Sequence, residues 1–309
     1  MTTLHALCGL KVASDFPLPD LLPWRGDDRA PDVAIRLGDV PDRLDAPVLN
    51  GPLLQMAADG TSRFAVPGVA AYLVEGGHTV TVRAEMDLAA PDVRVFLLGT
   101  VFGILCAQRG LLPLHACCVA IGGRAVAFSG VSGAGKSTLA AAFRRRGFPV
   151  LADDVTVVDV EAPGGPLVLP SFPRIKLWRD TMDALALPRD GLERSRPELD
   201  KFHLPLDDGF HAAPLPLAAV YHLEEARLPD QMEAVRLNAV TAVQSLEVAV
   251  YRHRTVRRLL GAERLFRSLT RVAAAAPSYR LWRRLGLRDL DAQVTALAGR
   301  QESEAGDRA

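Results

Sequence analysis

The segment Gly130-Val131-Ser132-Gly133-Ala134-Gly135-Lys136-Ser137 constrains this chain more than any other feature, because of what flanks it. An apolar run, Ala125 to Ser129, leads in with strand character, and Leu139 to Phe143 leads out as a helix. A Gly-x-x-x-x-Gly-Lys-Ser loop between strand and helix lets successive backbone N–H groups turn inward around an anion, and the helix start adds its positive dipole end. Ser132, Ala134 and Thr138 complete the cradle. In this geometry Lys136 reaches the β and γ phosphates of a nucleotide, and the Ser137 hydroxyl ligates magnesium.

Two acids follow on the next apolar run. Phe148-Pro149-Val150-Leu151-Ala152 ends at Asp153-Asp154, and Val155 to Val160 is again strand-like. An Asp pair after a strand commonly opens a turn or caps a helix. Here no helix follows, and two adjacent carboxylates repel unless a cation neutralises them. Phosphate-loop proteins need one carboxylate for the magnesium shell, and kinases need another to accept the proton of the attacking hydroxyl. His115 is a further candidate, at the start of a strand from Leu114 to Ile121 that a Gly122-Gly123 hairpin joins to the strand entering the loop. A lone histidine in an apolar strand is as readily a satisfied core residue as a catalyst.

The order Leu-His-Ala, strand, Gly-x-Ser-Gly-x-Gly-Lys-Ser, helix, Arg-Gly, strand, Ala-Asp-Asp-Val, carried by Leu112 to Asp159, resembles the catalytic domain of HPr kinase/phosphorylase, whose core is related to phosphoenolpyruvate carboxykinase. The resemblance implies that His115 lines the active site, Lys136 binds phosphate, Ser137 and Asp153 serve the metal, and Asp154 takes the proton of a serine hydroxyl. The family's Glu-x-Arg-Gly-Leu-Gly-Ile segment, which supplies a further metal carboxylate and supports phosphorolysis, has no counterpart. Pro170-Ser-Phe-Pro-Arg174-Ile-Lys176-Leu-Trp178 stands in its place. With its Arg-x-Lys-Leu-Trp segment and with Arg196-Pro-Glu-Leu-Asp-Lys201, the chain is similar to divergent HPr-kinase-like proteins encoded with peptide natural-product clusters, lasso peptide kinases among them. That similarity makes Arg174, Lys176, Arg196 and Lys201 candidates for contacting phosphate or substrate. Trp178 and Phe172 read equally well as core.

Composition narrows the partners. The 36 basic and 36 acidic residues cancel, so no global field draws the chain to nucleic acid or to an anionic membrane. Arginines at 252, 254, 257 and 258 beside Tyr251, and at 280, 283 and 284 around Trp282, superficially suggest a basic patch, but interleaved acids favour charged helix faces. The longest apolar run, Val95 to Ala107, is short for a bilayer, and the amino terminus lacks the pattern of a secretory signal. Cys8, Cys106, Cys117 and Cys118 show neither metal-ligand spacing nor a disulfide framework and read as buried thiols in a reducing cytoplasm.

Two units are expected. Residues 1–90 hold short alternating runs separated by Gly, Pro and Asp turns, a small β-rich domain. Residues 91–309 open with a buried helix from Pro91 to near Gly110 and continue as an α/β phosphate-loop kinase domain of HPr kinase/phosphoenolpyruvate carboxykinase type. Its tail is helical over Gly261 to Ala275 and Leu290 to Leu297 and frays from Arg300. The expected function is ATP- and Mg2+-dependent phosphorylation of a serine on a peptide or small protein, such as a lasso peptide precursor, with no nucleic acid or membrane partner; a homo-oligomer is compatible with the sequence. The rival readings are a small-molecule kinase of the same core and a non-catalytic, nucleotide-gated binding module.

Overall fold

A computed structural model describes residues 2–188, 190–196, 199–226, 232–284, 287 and 289–306. The fold is mixed α/β with several sheets.

The alternating runs near the amino terminus form a twisted sheet of β1 (Thr3–Leu7), β2 (Leu10–Ser14), β3 (Leu22–Pro23), β4 (Val33–Leu37), β5 (Leu49–Asn50), β6 (Leu54–Met56), β7 (Ser62–Val66), β8 (Ala70–Glu75) and β9 (Thr79–Ala84). Their spatial order is β3-β1-β2-β4-β9-β8-β7-β6-β5, antiparallel except where β4 joins β2 and β9. One face of this sheet needs a cover. It is supplied by α1 (Pro91–Phe96), a π-helical turn (Leu97–Val101) and α2 (Phe102–Gln108). Val12, Ile35 and Val80 pack there with Leu97, Phe102 and Leu105, and the Tyr72 hydroxyl donates to Val93 O over 2.8 Å.

This helical stretch is therefore the lid of the β-rich sheet as much as the start of the second unit. By length and composition Pro91–Gln108 could cross a membrane, unlike the shorter apolar run read from the sequence, but 78% of that span is buried inside the protein. The same apolar cluster takes in Val155, Val157 and Phe172, which follow the acid pair in the chain. Each fully buried aliphatic or aromatic side chain contributes about 1.5–3 kcal/mol, so apolar contact seats this unit on the second, with the buried pair of Asp20 and Arg174 also crossing between them.

The second sheet is built from β10 (Leu112–Leu114), β11 (Ala116–Ile121) and β12 (Arg124–Ser129), then, after α3 (Lys136–Arg145), β13 (Val150–Ala152), β14 (Thr156–Asp159) and β15 (Leu167–Leu169). A separate hairpin of β16 (Arg174–Trp178) and β17 (Lys201–Pro205) encloses α4 (Arg179–Ala184). The chain re-enters the sheet at β18 (Leu215–Glu225) and closes with β19 (Glu233–Arg236), α5 (Ala239–Ala249), α6 (His253–Leu260), α7 (Ala262–Ala275), β20 (Ser278–Arg283) and α8 (Leu290–Gly306). The order is β10-β14-β15-β18-β12-β11-β13, with β20 added to β18 and β19 to β20. β12, β18 and β20 run parallel, so their carboxyl ends meet on one edge, where ligands of such sheets bind.

β12 shows how the layers arise. Val126 and Phe128 face the cluster containing Leu139 and Phe143 of α3 and Val294 and Leu297 of α8, while Ala125 and Ala127 face Leu246 of α5 and Leu269 of α7. Burial on both faces produces the continuous apolar run seen in the sequence.

Two local expectations are corrected. Arg280 and Arg283 lie on β20 and not on a charged helix face: Ser278 to Arg283 alternates with period two, burying Tyr279, Leu281 and Arg283. The helix α8 continues past Arg300 to Gly306, held by an Arg300–Glu304 pair at 3.0 Å and by Gln301, which donates to the Tyr221 hydroxyl over 2.7 Å. The four cysteines are buried and unpaired.

Candidate active site

The loop leaves the end of β12 and feeds α3. Gly133 and Gly135 take left-handed backbone angles, φ +88° and +81°, which side chains disfavour. At Gly135 a Cβ would also come within 2.7 Å of Arg283 Nη1. Gly135 is the N-cap of α3 and offers no side-chain cap, so the first amides of the helix remain for an anion.

Lys136 is buried and folds back to donate to Gly130 O at 2.8 Å and Val131 O at 3.1 Å. Burial lowers its pKa, a cost that a bound polyphosphate would relieve. Ser137 Oγ donates to Asp153 Oδ1 over 2.7 Å. The other oxygen of Asp153 accepts the Lys176 backbone N–H at 2.8 Å. Asp153 is 2% exposed, and burial, reinforced by the neighbouring Asp154 charge, raises its pKa.

Asp154 is shifted the opposite way. It occupies a left-handed backbone position, φ +72°, which turns its carboxylate from the path of Asp153. Lys176 Nζ donates to Asp154 Oδ2 over 3.0 Å, and His115 Nε2 lies 3.5 Å from Oδ1. Burial would raise the Asp154 pKa, but Lys176 and His115 outweigh it and hold the carboxyl well below its usual range. Adjacency thus yields two chemically different acids, one pressed toward protonation until a cation arrives and one kept ionised.

His115 sits at the bend between β10 and β11, its backbone N–H bonded to Ala249 O at 2.7 Å and its ring edge-on to Tyr251 at 6.0 Å between centroids. Ser132 lines the cavity beside the loop, and the Ala134 carbonyl accepts from Arg283 Nη1 at 3.1 Å. Thr138 Oγ1 lies 3.3 Å from Thr181 Oγ1. The cavity holds about 330 Å3, with Lys136, Lys176, Lys201 and Arg283 around it and Trp178 half-exposed on its wall. Lys201 Nζ stands 5.6 Å from the Trp178 ring centre.

The remaining candidates are elsewhere. Arg174, although on the same strand as Lys176, is buried against Asp20, and Arg196 bonds Asp92 over 3.1 Å; neither lines the cavity. Two positions apart on one face of β16, Arg174 and Lys176 meet different partners: Lys176 reaches the acid pair, while Arg174 joins Asp20, Arg94, Glu193 and His203 in a buried polar cluster. Asp20, Glu193 and His203 present ligand atoms within 4.8 Å of one another, but Arg94 and Arg174 already supply positive charge there. Pro197 and Glu198, within the Arg196 to Lys201 segment, lie outside the described residues. Phe172 is core, whereas Trp178, also read as core, is half-exposed on the cavity wall.

Sequence reasoning missed Arg283. It is 1% exposed, lies under the loop, and donates from Nε to Gln293 Oε1 at 2.8 Å. The period-two run Tyr279, Leu281, Arg283 was the available signal.

No family profile matches this chain, and no curated protein matches it. Among solved structures, the HPr(Ser) kinase/phosphatase from Coxiella burnetii is similar at 13% identity and a TM-score of 0.36, over 63% of this chain and 94% of that one. At that level of superposition the likeness bears on neither the site nor the reaction.

Proposed function

We propose that this chain is an ATP-dependent phosphotransferase that phosphorylates a serine hydroxyl on a peptide or small protein. The observation that carries the reading is the link from loop to acids: Ser137 Oγ bonded to Asp153 at 2.7 Å, with Asp154 beside it, ionised by Lys176 and facing His115. A nucleotide clamp needs the loop alone; a transferase needs the second carboxylate too.

Ser137 and Asp153 fit a magnesium ion, being hard oxygen donors in a site that burial makes costly for an uncompensated carboxylate. Bound there, magnesium supplies charge neutralisation on the β and γ phosphates. The chain's own groups do the rest. The loop amides and Lys136 hold the polyphosphate, and Asp154 orients the acceptor hydroxyl. The acceptor oxygen bonds to the γ-phosphorus, the bond from that phosphorus to the β–γ bridging oxygen breaks, ADP departs with the electron pair, and the proton passes to Asp154. A weakly basic carboxylate suffices, since a loose transition state asks for little base strength.

Among acceptors, a precursor peptide of a natural-product cluster, such as a lasso peptide precursor, accords with the Arg-x-Lys-Leu-Trp and Arg-Pro-x-x-x-Lys segments. The buried thiols accord with a reducing, cytoplasmic setting. Transfer of radiolabelled γ-phosphate from ATP to serine peptides tests the reading: labelled phosphoserine is expected, and magnesium-ATP binding without transfer to any acceptor would favour the binding module.

A further inference from the structure

A second cavity, of about 390 Å3, opens on the other side of His115. Its floor is formed by Ser129 and His222, at the carboxyl ends of the adjacent parallel strands β12 and β18, joined Oγ to Nδ1 at 2.8 Å. Gln244 and Ser245 of α5 form a wall. Two of its lining residues are apolar and project into solvent: Val131 of the loop, 73% exposed, and Val248 of α5, 82% exposed.

In phosphoryl transfer the attacking and leaving oxygens lie roughly in line through phosphorus, so acceptor and nucleotide must occupy opposite sides of the γ-phosphoryl group. Lys136 Nζ, which reaches the β and γ phosphates in such loops, rests on the carbonyls of Gly130 and Val131. The γ end of the nucleotide is thereby marked at the loop's first residues, close to Asp154 and His115. The first cavity extends away from that point to Thr138, Thr181 and Trp178. The second begins at it, sharing His115 and including Gly130 and Val131.

We propose that the second cavity is the acceptor pocket and that its occupant is a peptide segment whose serine points toward His115 and Asp154 while apolar neighbours of that serine cover Val131 and Val248. The assignment rests on the kinase reading. Exposed valines on both the loop and α5 suit a chain with side chains on either side of the hydroxyl, whereas a free polar metabolite would leave them uncovered.

The test uses the full chain, magnesium-ATP and a positional library of serine-centred peptides. Wild type is expected to select apolar residues next to the serine. Ser245→Trp, which fills the cavity from α5, should lower kcat/KM for the best peptide by about tenfold or more with the affinity for magnesium-ATP unchanged. Val248→Asp, a milder change at an exposed position, should abolish the apolar selection at one flank. Unchanged peptide kinetics in both variants would overturn the proposal. Weakened ATP binding with peptide kinetics intact would make the cavity a nucleoside site and overturn it as well. A wild type that hydrolyses ATP yet labels no peptide would rule out the peptide occupant. A wild type that fails to bind magnesium-ATP would instead remove the kinase reading beneath it, a result distinct from all of these.

Discussion

The Lys176 ammonium stands 3.0 Å from Asp154, while the backbone N–H of the same residue donates to Asp153. One position on β16 thus holds both acids, by its side chain and by its main chain. The hairpin that carries it also brings Trp178 and Lys201 to the cavity wall, and the helix it encloses brings Asp180. Removing the side chain should therefore affect Asp154 and spare Asp153.

The two acids should separate by metal dependence. Asp154→Asn is expected to lower turnover by about 10²–10⁴-fold while still binding magnesium-ATP. Asp153→Asn should lose activity in a way that raised magnesium, or manganese, partly restores. Steady-state rates across a metal titration check this, and the reverse pattern would exchange the roles.

Arg283 should matter to fold and site alike. It donates to the loop carbonyl of Ala134 and to Gln293 from an interior position, and burial lowers its pKa. Arg283→Ala leaves those neutral acceptors unpaired and is expected to cost about 1–3 kcal/mol by urea unfolding, with weaker ATP binding. Arg283→Lys should restore little of either, because the ammonium lacks the planar fork. A wild-type melting curve for Arg283→Ala would contradict the role.

The loop and the acids were legible in sequence, and Arg283 was not, for a reason of range. Gly130 to Ser137 and Asp153-Asp154 are local patterns whose geometry is set within a few residues. The apolar pattern of Pro91 to Gln108 likewise carries its own helix. What Arg174 and Arg196 do is fixed by Asp20 and Asp92, at sequence separations of 154 and 104, and no local pattern encodes such partners. Arg283 belongs between these cases: the alternation was present, but arginine-rich surroundings favoured a helical face. The pairing of β20 with β18, remote in sequence, decided it.

Acid should weaken the fold through His222. Its pKa in the fold is lowered to about 4, by burial first and then by Arg280, against about 6.5 when unfolded. The unfolded chain therefore takes up the proton first as pH falls. The stability this group contributes is complete above about pH 6.5 and is lost progressively toward pH 4, to the extent of roughly 3 kcal/mol. Urea midpoints of wild type and His222→Gln between pH 7.5 and 4.5 check the sign. The variant should lose less over that range, and parallel losses would show that other groups govern acid unfolding.

Reverse chemistry should be absent. Pro170 to Trp178 supplies Lys176 and no carboxylate of its own, and the further acid on the cavity wall, Asp180 of α4, lies outside that segment; phosphorylated product incubated with inorganic phosphate is expected to be stable. Release of pyrophosphate would show that phosphorolysis needs no second acid.

The central claim is that Gly130 to Ser137 grips a nucleotide whose γ-phosphoryl group is transferred beside Asp154. Its most direct test is Lys136→Ala, assayed by calorimetry with magnesium-ATP and by transfer of labelled phosphate to serine peptides. The fold should persist, since among the described residues the Lys136 ammonium donates to two loop carbonyls alone, while transfer falls to background and ATP affinity drops. Unchanged affinity together with unchanged transfer would contradict the account.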